Sequence, residues 1–165
     1  MTGTKAGGTG IPIAKKASFY EVEASQFKPI YPTNISNKWA GGGLLSTPTD
    51  LVRMGNALQD SSFLSRATKA QLFTPIPLKD GTMNPQRYGM GWRIGTNTRN
   101  FAPKEVKVIH HGGTIGGGIA LLIMFPEYEL TVAMMTNRSG SSREFFTPIY
   151  EVAKSFITTI DQSKK

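Results

Sequence analysis

The 165-residue sequence contains no cysteine, which excludes disulfides and thiolate metal sites and leaves the redox compartment open. It has no uninterrupted apolar run of about 18 residues, the length that a transmembrane helix needs, so no membrane partner is expected. The first residues also lack the apolar core of a signal peptide. As written, the chain is therefore expected to be cytoplasmic, and its native compartment stays open.

Acidic residues are few, because 11 Asp and Glu stand against 19 Lys and Arg and give a net charge of +8. Such an excess raises the question of a nucleic-acid partner. The basic residues do not cluster, however, and their densest pairs, Lys15-Lys16 and Lys164-Lys165, lie near the termini. No RNA-binding aromatic motif, zinc-finger spacing or helix-turn-helix pattern is present. We therefore expect solvated basic side chains and no nucleic-acid partner.

Histidine is scarce, and its two copies are the neighbours His110 and His111. Adjacent residues of a strand point to opposite faces, so the two rings cannot ligate one metal without local distortion. No Asp or Glu stands at a useful ligand spacing either. No metal and no cofactor are expected, and the simpler alternative is that one histidine packs inside while the other is solvated.

Periodicity divides the chain into two parts. Residues 1–38 are expected to form a mostly irregular, mobile N-terminal segment with one short strand at 18–24. Residues 39–165 are expected to form one partial domain. Four segments of this domain are predicted as the strands of an antiparallel meander, namely 88–94, 106–110, 119–125 and 130–136. The third is apolar throughout, as in a strand that is buried on both faces.

Three helices are predicted around the meander. The first follows the cap Thr47 and the first-turn proline Pro48, and the second spans residues 65–73. The last follows the break at residues 139–142, and Thr147-Pro148 is a candidate for its true start, because proline is tolerated only in a first turn. Its apolar stripe is predicted to contain Phe145, Ile149, Val152, Phe156 and Ile160. The predicted fold class is α+β, an antiparallel sheet meander packed by a C-terminal helix, with short helices upstream.

Glycine is abundant after the histidines, with five copies among residues 112–118. A phosphate-binding loop would need a following helix and the Walker Lys-Ser/Thr pair, and both are missing. Glycines beside a strand also let a ligand or another backbone approach closely. The N–H groups of a strand edge can then serve as oxyanion donors.

Three segments share a combined pattern. Residues 39–50 read Trp-Ala-Gly-Gly-Gly-Leu-Leu-Ser-Thr-Pro-Thr-Asp, and residues 88–92 read Tyr-Gly-Met-Gly-Trp. Residues 111–137 contain His-Gly-Gly, a glycine-rich turn, two apolar strands separated by Pro-Glu, and a closing Asn. Together they resemble the C-terminal part of the serine β-lactamase-like family, which includes class C β-lactamases, family VIII esterases and D-aminopeptidases. The histidine and the triple-glycine turn place the chain nearer to the esterases and mitochondrial-type relatives.

The resemblance implies a partial β-lactamase/transpeptidase-like fold and site roles for four residues. His111 would line the cleft and orient or polarise an acyl group, a task that lysine performs in other members. Gly112 and Gly113 would leave room for the substrate, and the backbone N–H of Thr114 would be one oxyanion donor. The implied parent reaction is the hydrolysis of a β-lactam, ester or peptide through an acyl-enzyme, and the implied ligand is a small acyl, β-lactam or ester compound.

The family's catalytic residues are not found in this sequence. The only Ser-x-x-Lys spacing joins Ser25 to Lys28, but Pro29 disfavours a helix there. The glycine-rich turn that begins at Gly41 also follows this pair too soon in the sequence for the order of motifs in the family. No Tyr-x-Asn or Tyr-x-Ser is present. The resemblance therefore implies a C-terminal fragment of a serine hydrolase that is inactive alone. Without the family's N-terminal strands, residues 130–136 would be an exposed edge, which predicts self-association, exchange of the C-terminal helix, or complementation by an N-terminal half.

Two other functions stay open at this stage. The chain could be a non-catalytic binding or regulatory module that reuses the fold remnant to recognise acyl groups or peptides. It could also be a small active hydrolase with an improvised site that uses His111 and a nearby serine. Substrate, native oligomer and compartment are not specified by the sequence.

Overall fold

The computed structural model describes residues 1–7, 13–31 and 37–164. Its strands are β1 Lys5–Ala6, β2 Phe19–Glu23, β3 Gln26–Ile30, β4 Leu44–Leu45, β5 Arg93–Asn97, β6 Val106–Ile115, β7 Gly118–Phe125 and β8 Leu130–Thr136. Its α-helices are α1 Pro48–Gln59, α2 Arg66–Leu72 and α3 Ser142–Ser163. Within the described residues, no helix combines the length and apolarity that crossing a membrane requires.

The main sheet is a four-stranded antiparallel meander in the order β5-β6-β7-β8. This arrangement confirms the predicted fold class and the short connections between successive strands. The apolar run predicted to be a strand buried on both faces is β7, in which all residues except Ala120 are buried. A strand in this position is apolar on both faces because helices cover the sheet from both sides.

Each face of the sheet has its own apolar cluster. On the α3 side, the sheet contributes Val106, Val108, Leu121, Ile123 and Phe125 to the cluster. On the α1 side, Ile94, Ile109 and Met124 are buried, and Leu58, Phe73 and Trp92 pack against them. Successive residues of β6 therefore alternate between the two clusters, as the pleat of a strand requires.

Helix α3 differs from its prediction in two respects. It starts at Ser142, whereas the candidate start at Thr147-Pro148 is wrong, and Pro148 lies inside it. The Ser141 hydroxyl caps the helix by accepting a hydrogen bond from the Glu144 N–H at 3.2 Å. Pro148 has no N–H to donate to the Glu144 carbonyl, so one hydrogen bond of the helix is missing there.

The buried stripe of α3 also differs from the predicted one. Phe145, Ile149, Ala153 and Ile157 face the sheet in a row of residues four apart. Val152 and Phe156, which the prediction placed in the stripe, are 48% and 56% exposed. The sequence pattern allowed both rows, and the direction in which α3 crosses the sheet selects the first.

Both upstream helices have a side-chain cap; the cap of the first was predicted, and that of the second was not. The Thr47 hydroxyl accepts a hydrogen bond from the Asp50 N–H at 3.2 Å at the start of α1. The Ser65 hydroxyl accepts one from the Thr68 N–H at 3.1 Å at the start of α2. Both caps satisfy N–H groups that have no partner inside the helix.

The strand predicted at 88–94 is wrong at its beginning, since β5 starts at Arg93. Tyr88 and Arg93 instead face each other across a tight turn, in which Gly91 has a φ of +81°. The strand predicted at 106–110 extends to Ile115 as β6, so part of the predicted glycine loop is strand. Only Gly116 and Gly117 separate the paired ends of β6 and β7.

The N-terminal stretch 1–38 contains three short strands in its described part, although it was expected to be mostly irregular. The strand predicted at 18–24 is present as β2, which forms a hairpin with β3, while β1 pairs with β4. Residues 8–12 and 32–36 of this stretch lie outside the described residues.

Candidate functional site

His111 lies on β6, on the face that α1 covers. It borders a small cavity of about 190 Å³. The residues that line this cavity are Leu51 and Met54 of α1, Trp92 before β5, His111, Gly112 and Gly113 of β6, and Ala120, Leu121 and Leu122 of β7. An exposed histidine therefore meets a mostly apolar hollow, which is the usual composition of a small-molecule site.

His110 lies on the opposite face, because it follows Val108 at the strand period of two. Burial is the main cause that lowers the pKa of His110 to about 4, and Arg93, its cross-strand partner, adds to the effect. Burial and Arg93 lower the pKa of His111 in the same direction. Both imidazoles are therefore neutral at pH 7.

Tyr88 contacts His111 directly, although no role was predicted for it from the sequence. Its hydroxyl is hydrogen-bonded to Nε2 of His111, and the two rings meet edge to face with centroids 5.8 Å apart. The Arg93 guanidinium lies over the Tyr88 ring, 5.5 Å from its centroid. The available signal was the Tyr-Gly-x-Gly-Trp pattern, which predicted a strand rather than a turn.

The backbone of β6 beyond His110 has a free edge among the described residues, since β5 pairs with β6 only as far as His110. The Lys107 N–H donates to the Glu127 carboxylate at 3.2 Å, and Glu127 lies two residues beyond the end of β7. Backbone groups alternate in direction along a strand, so the N–H groups of Gly112 and Thr114 point away from β7. Ile115 and Gly118 are paired at the two ends of the β6–β7 turn, and this pairing predicts the same directions for the N–H groups of β6.

The glycines of this region have different surroundings. A Cβ at Gly113 would meet nothing within 4 Å, which leaves open space on the His111 face. A Cβ at Gly112 would lie 3.3 Å from the Ala120 carbonyl oxygen on the other face. Gly117 has a φ of +70°, and its Cβ would lie 2.8 Å from Cβ of Phe19. The turn therefore packs tightly against β2.

The closing Asn of the pattern, Asn137, holds the β2–β3 hairpin. Its side-chain amide donates to the Ser18 carbonyl at 2.9 Å, and its own carbonyl accepts the Tyr20 N–H at 2.9 Å. The Val22 N–H adds a bond of 2.9 Å to the Ser139 hydroxyl. The hairpin is thus attached to the end of β8 by backbone and side-chain hydrogen bonds.

Ser25 and Lys28, the only pair with nucleophile spacing, lie in this hairpin. Ser25 is in its turn, with a φ of +66°, and Lys28 is on β3, where it forms an ion pair with Glu23. A Ser-x-x-Lys nucleophile needs a helix to bring the lysine one turn beyond the serine. The hairpin does not supply that geometry.

Asp50, which belongs to the first segment of the pattern, joins the N-terminal residues to α1. Its side chain is 1% exposed and accepts hydrogen bonds from the Gly3 N–H at 2.7 Å and the Thr4 hydroxyl at 3.0 Å. Burial alone would raise the pKa of Asp50, but these bonds and the one from Arg53 outweigh it and lower that pKa. Asp50 is therefore a structural anion outside the cavity lining.

A metal centre has no visible ligands in the part of the chain that the structure describes. No three His, Cys, Asp or Glu side chains come close enough there to hold an ion. The chemistry that the described residues offer is hydrogen bonding from a neutral imidazole, a phenol and the free edge of β6.

Comparison with known proteins identifies the family. The family model described as Beta-lactamase matches residues 1–155, and the chain belongs to the beta-lactamase family. It is 29% identical over 122 residues to the human mitochondrial serine beta-lactamase-like protein LACTB, a match that covers 62% of this chain and 22% of that protein. It is 27% identical over 97 residues to penicillin-binding protein 4* of Bacillus subtilis, covering 59% of this chain and 20% of that protein.

The fold is shared with a solved structure, the octameric penicillin-binding protein homologue from Pyrococcus abyssi. The TM-score is 0.63 at 22% sequence identity, over 86% of this chain and 31% of the homologue. The chain thus spans about a fifth of the curated relatives that it matches. These findings confirm the resemblance that the three sequence segments indicated.

Proposed function

We propose that this chain supplies one wall of the acyl-binding cleft of a β-lactamase-like serine hydrolase. His111 orients the acyl group of a β-lactam, ester or peptide, and Gly113 leaves room for it on the same face. Gly112 contributes to the lining of the cavity, and the Thr114 N–H donates to the oxyanion. The observation that carries this proposal is the free edge of β6 beside the cavity at His111. A donor that is fixed in a strand needs no reorganisation when charge develops on the acyl oxygen.

We further propose that the 165-residue chain does not hydrolyse acyl compounds by itself. The support is chemical, since the described residues around His111 offer no serine with a lysine one helical turn away. Ser25 and Lys28 have the spacing but lie in a hairpin. Activity then requires a complementing segment that carries Ser-x-x-Lys and Tyr-x-Asn from a relative.

The test compares the chain alone with the chain mixed with such a segment, using nitrocefin and p-nitrophenyl acetate as substrates. Hydrolysis is expected only in the mixture. Thr114→Pro removes the proposed N–H donor at an open edge, where proline is tolerated, and should lower kcat about 100-fold. Thr114→Ala keeps the N–H and is the matched control, with activity close to that of the wild type.

Three results would contradict this proposal. Turnover by the chain alone that His111→Ala abolishes would favour an improvised site at His111. Saturable acyl binding without turnover in the mixture would favour the non-catalytic binding module. If the mixtures that contain Thr114→Pro and Thr114→Ala were equally active, the N–H group of Thr114 would have no role in catalysis.

We also propose self-association through β8, which pairs only with β7 among the described residues. An edge strand with unpaired backbone groups can pair with another chain, and Met135 on β8 is 36% exposed. The octameric assembly named for the homologue supports this proposal. Light scattering at tens of micromolar should show oligomers that Met135→Lys weakens and that Val152→Lys, on the exposed face of α3, leaves unchanged. A monomeric wild type would contradict it.

A further inference from the structure

Two hydrogen bonds hold the peptide group between Tyr88 and Gly89 and thereby fix the position of Tyr88. Its carbonyl accepts the Ile76 N–H at 2.8 Å, and the next N–H, that of Gly89, donates to the Trp92 carbonyl at 2.8 Å. A Cβ at Gly89 would lie 2.7 Å from the Leu72 carbonyl oxygen, so only glycine fits this close backbone approach. Tyr88 is therefore presented to β6 by a rigid turn.

The rigid turn holds the Tyr88 hydroxyl against one particular atom, Nε2 of His111. A neutral imidazole has one nitrogen that donates and one that accepts, so the bond takes one of two directions. Two observations favour donation by the phenol. A phenol is the stronger donor of the two groups, and the Arg93 guanidinium over its ring, 5.5 Å from the centroid, withdraws electron density from it.

We propose that Tyr88 is a positioning residue that donates to Nε2 of His111 and thereby fixes the imidazole as its Nδ1–H tautomer. The proposal rests on the function proposed above for His111. A free imidazole exchanges between two tautomers, so a ligand oxygen would meet a donor only part of the time. A ring whose Nε2 is occupied has Nδ1–H as its single donor, in one orientation, before any ligand arrives.

The test measures the tautomer directly in the 165-residue chain, without substrate. Long-range proton–nitrogen spectra of protein with ¹⁵N-labelled histidine distinguish the two ring nitrogens at pH 7.5, and a His110→Gln variant assigns the signals of His111. The wild type should show the Nδ1–H form. Tyr88→Phe keeps the ring and removes the hydroxyl, so the ratio of the Nδ1–H to the Nε2–H form should fall about tenfold, as for the loss of one hydrogen bond.

The matched control is Tyr31→Phe, because Tyr31 is 93% exposed and should leave the ratio unchanged. An Nε2–H form in the wild type, or an unchanged ratio in folded Tyr88→Phe, overturns the proposal. If Tyr88→Phe does not fold, a cross-peak between a slowly exchanging Tyr88 hydroxyl proton and the His111 ring supports the proposal, and its absence overturns it. The hydrolysis assays are separate measurements, so the proposed function stands or fails independently.

Discussion

The contact between α1 and β8 provides the sharpest test of how the cavity wall is built. Gly55 of α1 is buried against Thr131 of β8, and a Cβ at Gly55 would lie 2.5 Å from Cγ2 of Thr131 and 3.3 Å from Cδ1 of Leu122. Carbon atoms do not approach to 2.5 Å, so Gly55→Ala must move α1 away from the sheet. Because α1 carries Leu51 and Met54, the same shift widens the cavity at His111.

The size of the effect follows from opposing contributions. Overpacking costs about 1–3 kcal/mol, whereas replacing glycine by alanine inside a helix gains about 1 kcal/mol. The Gln59 amide donates to the Thr131 hydroxyl at 2.9 Å, and disturbing that bond costs about 1 kcal/mol more. We expect Gly55→Ala to lower the free energy of unfolding by about 1–3 kcal/mol, which lowers the melting temperature by roughly 2–12 °C.

Urea unfolding followed by far-UV circular dichroism measures this change. Thr131→Ser removes the clashing methyl group and keeps the hydroxyl that bonds Gln59, so the double variant should recover most of the loss that Gly55→Ala causes. The control is Gly95→Ala on β5, where a Cβ would meet nothing within 4 Å. A Gly55→Ala variant as stable as the wild type would show that the helix accommodates the added Cβ without cost, and a double variant that does not regain stability would show that the Thr131 methyl group is not the obstacle; either result contradicts the prediction.

Three further predictions concern the core, the histidine pair and the glycine turn. Ile157→Ala should cost about 2–5 kcal/mol in urea unfolding, whereas Phe156→Ala beside it, at a side chain that is 56% exposed, should cost far less; equal losses would contradict the observed stripe. The pKa of His110 is about 4 in the folded chain, whereas the ordinary pKa of a histidine is about 6.5. Between pH 6.5 and pH 4 the unfolded chain therefore binds more protons than the folded chain. Stability should therefore fall as the pH drops from 6.5 towards 4, and His110→Gln should flatten this fall in unfolding measured across that range. Gly117→Ala should destabilise by about 1–3 kcal/mol more than Gly81→Ala, because both have positive φ but a Cβ at Gly81 meets nothing within 4 Å; thermal melts with no difference would exclude the contact with β2.

Features set by neighbouring residues could be predicted from the sequence. The cap at Thr47 and the apolar runs of β7 and β8 are local signals, and those elements lie where they were predicted. The family resemblance rested on similar local segments. His111, Gly112, Gly113 and Thr114 lie together on β6 because they are consecutive, which requires no knowledge of the tertiary structure.

Features set by distant contacts could not be predicted in the same way. The exposure of Val152 and Phe156 depends on how α3 crosses the sheet, and both rows of α3 satisfied the helical period. The bond between Tyr88 and His111 depends on a turn that carries the chain back beside β6. Asn137 was visible as the end of a pattern, but its partner Ser18 lies 119 residues away.

The attachment of the β2–β3 hairpin to β8 also has a kinetic consequence. The hydrogen bonds of this attachment connect residues that are 117 and 119 positions apart in the sequence. Strands β6 and β7, by contrast, are connected by only two glycines. The entropy lost in closing a loop grows with its length, and short-range contacts form faster. We expect the meander to assemble first and the hairpin to dock late, so the wall at His111 is in place before the N-terminal residues reach it.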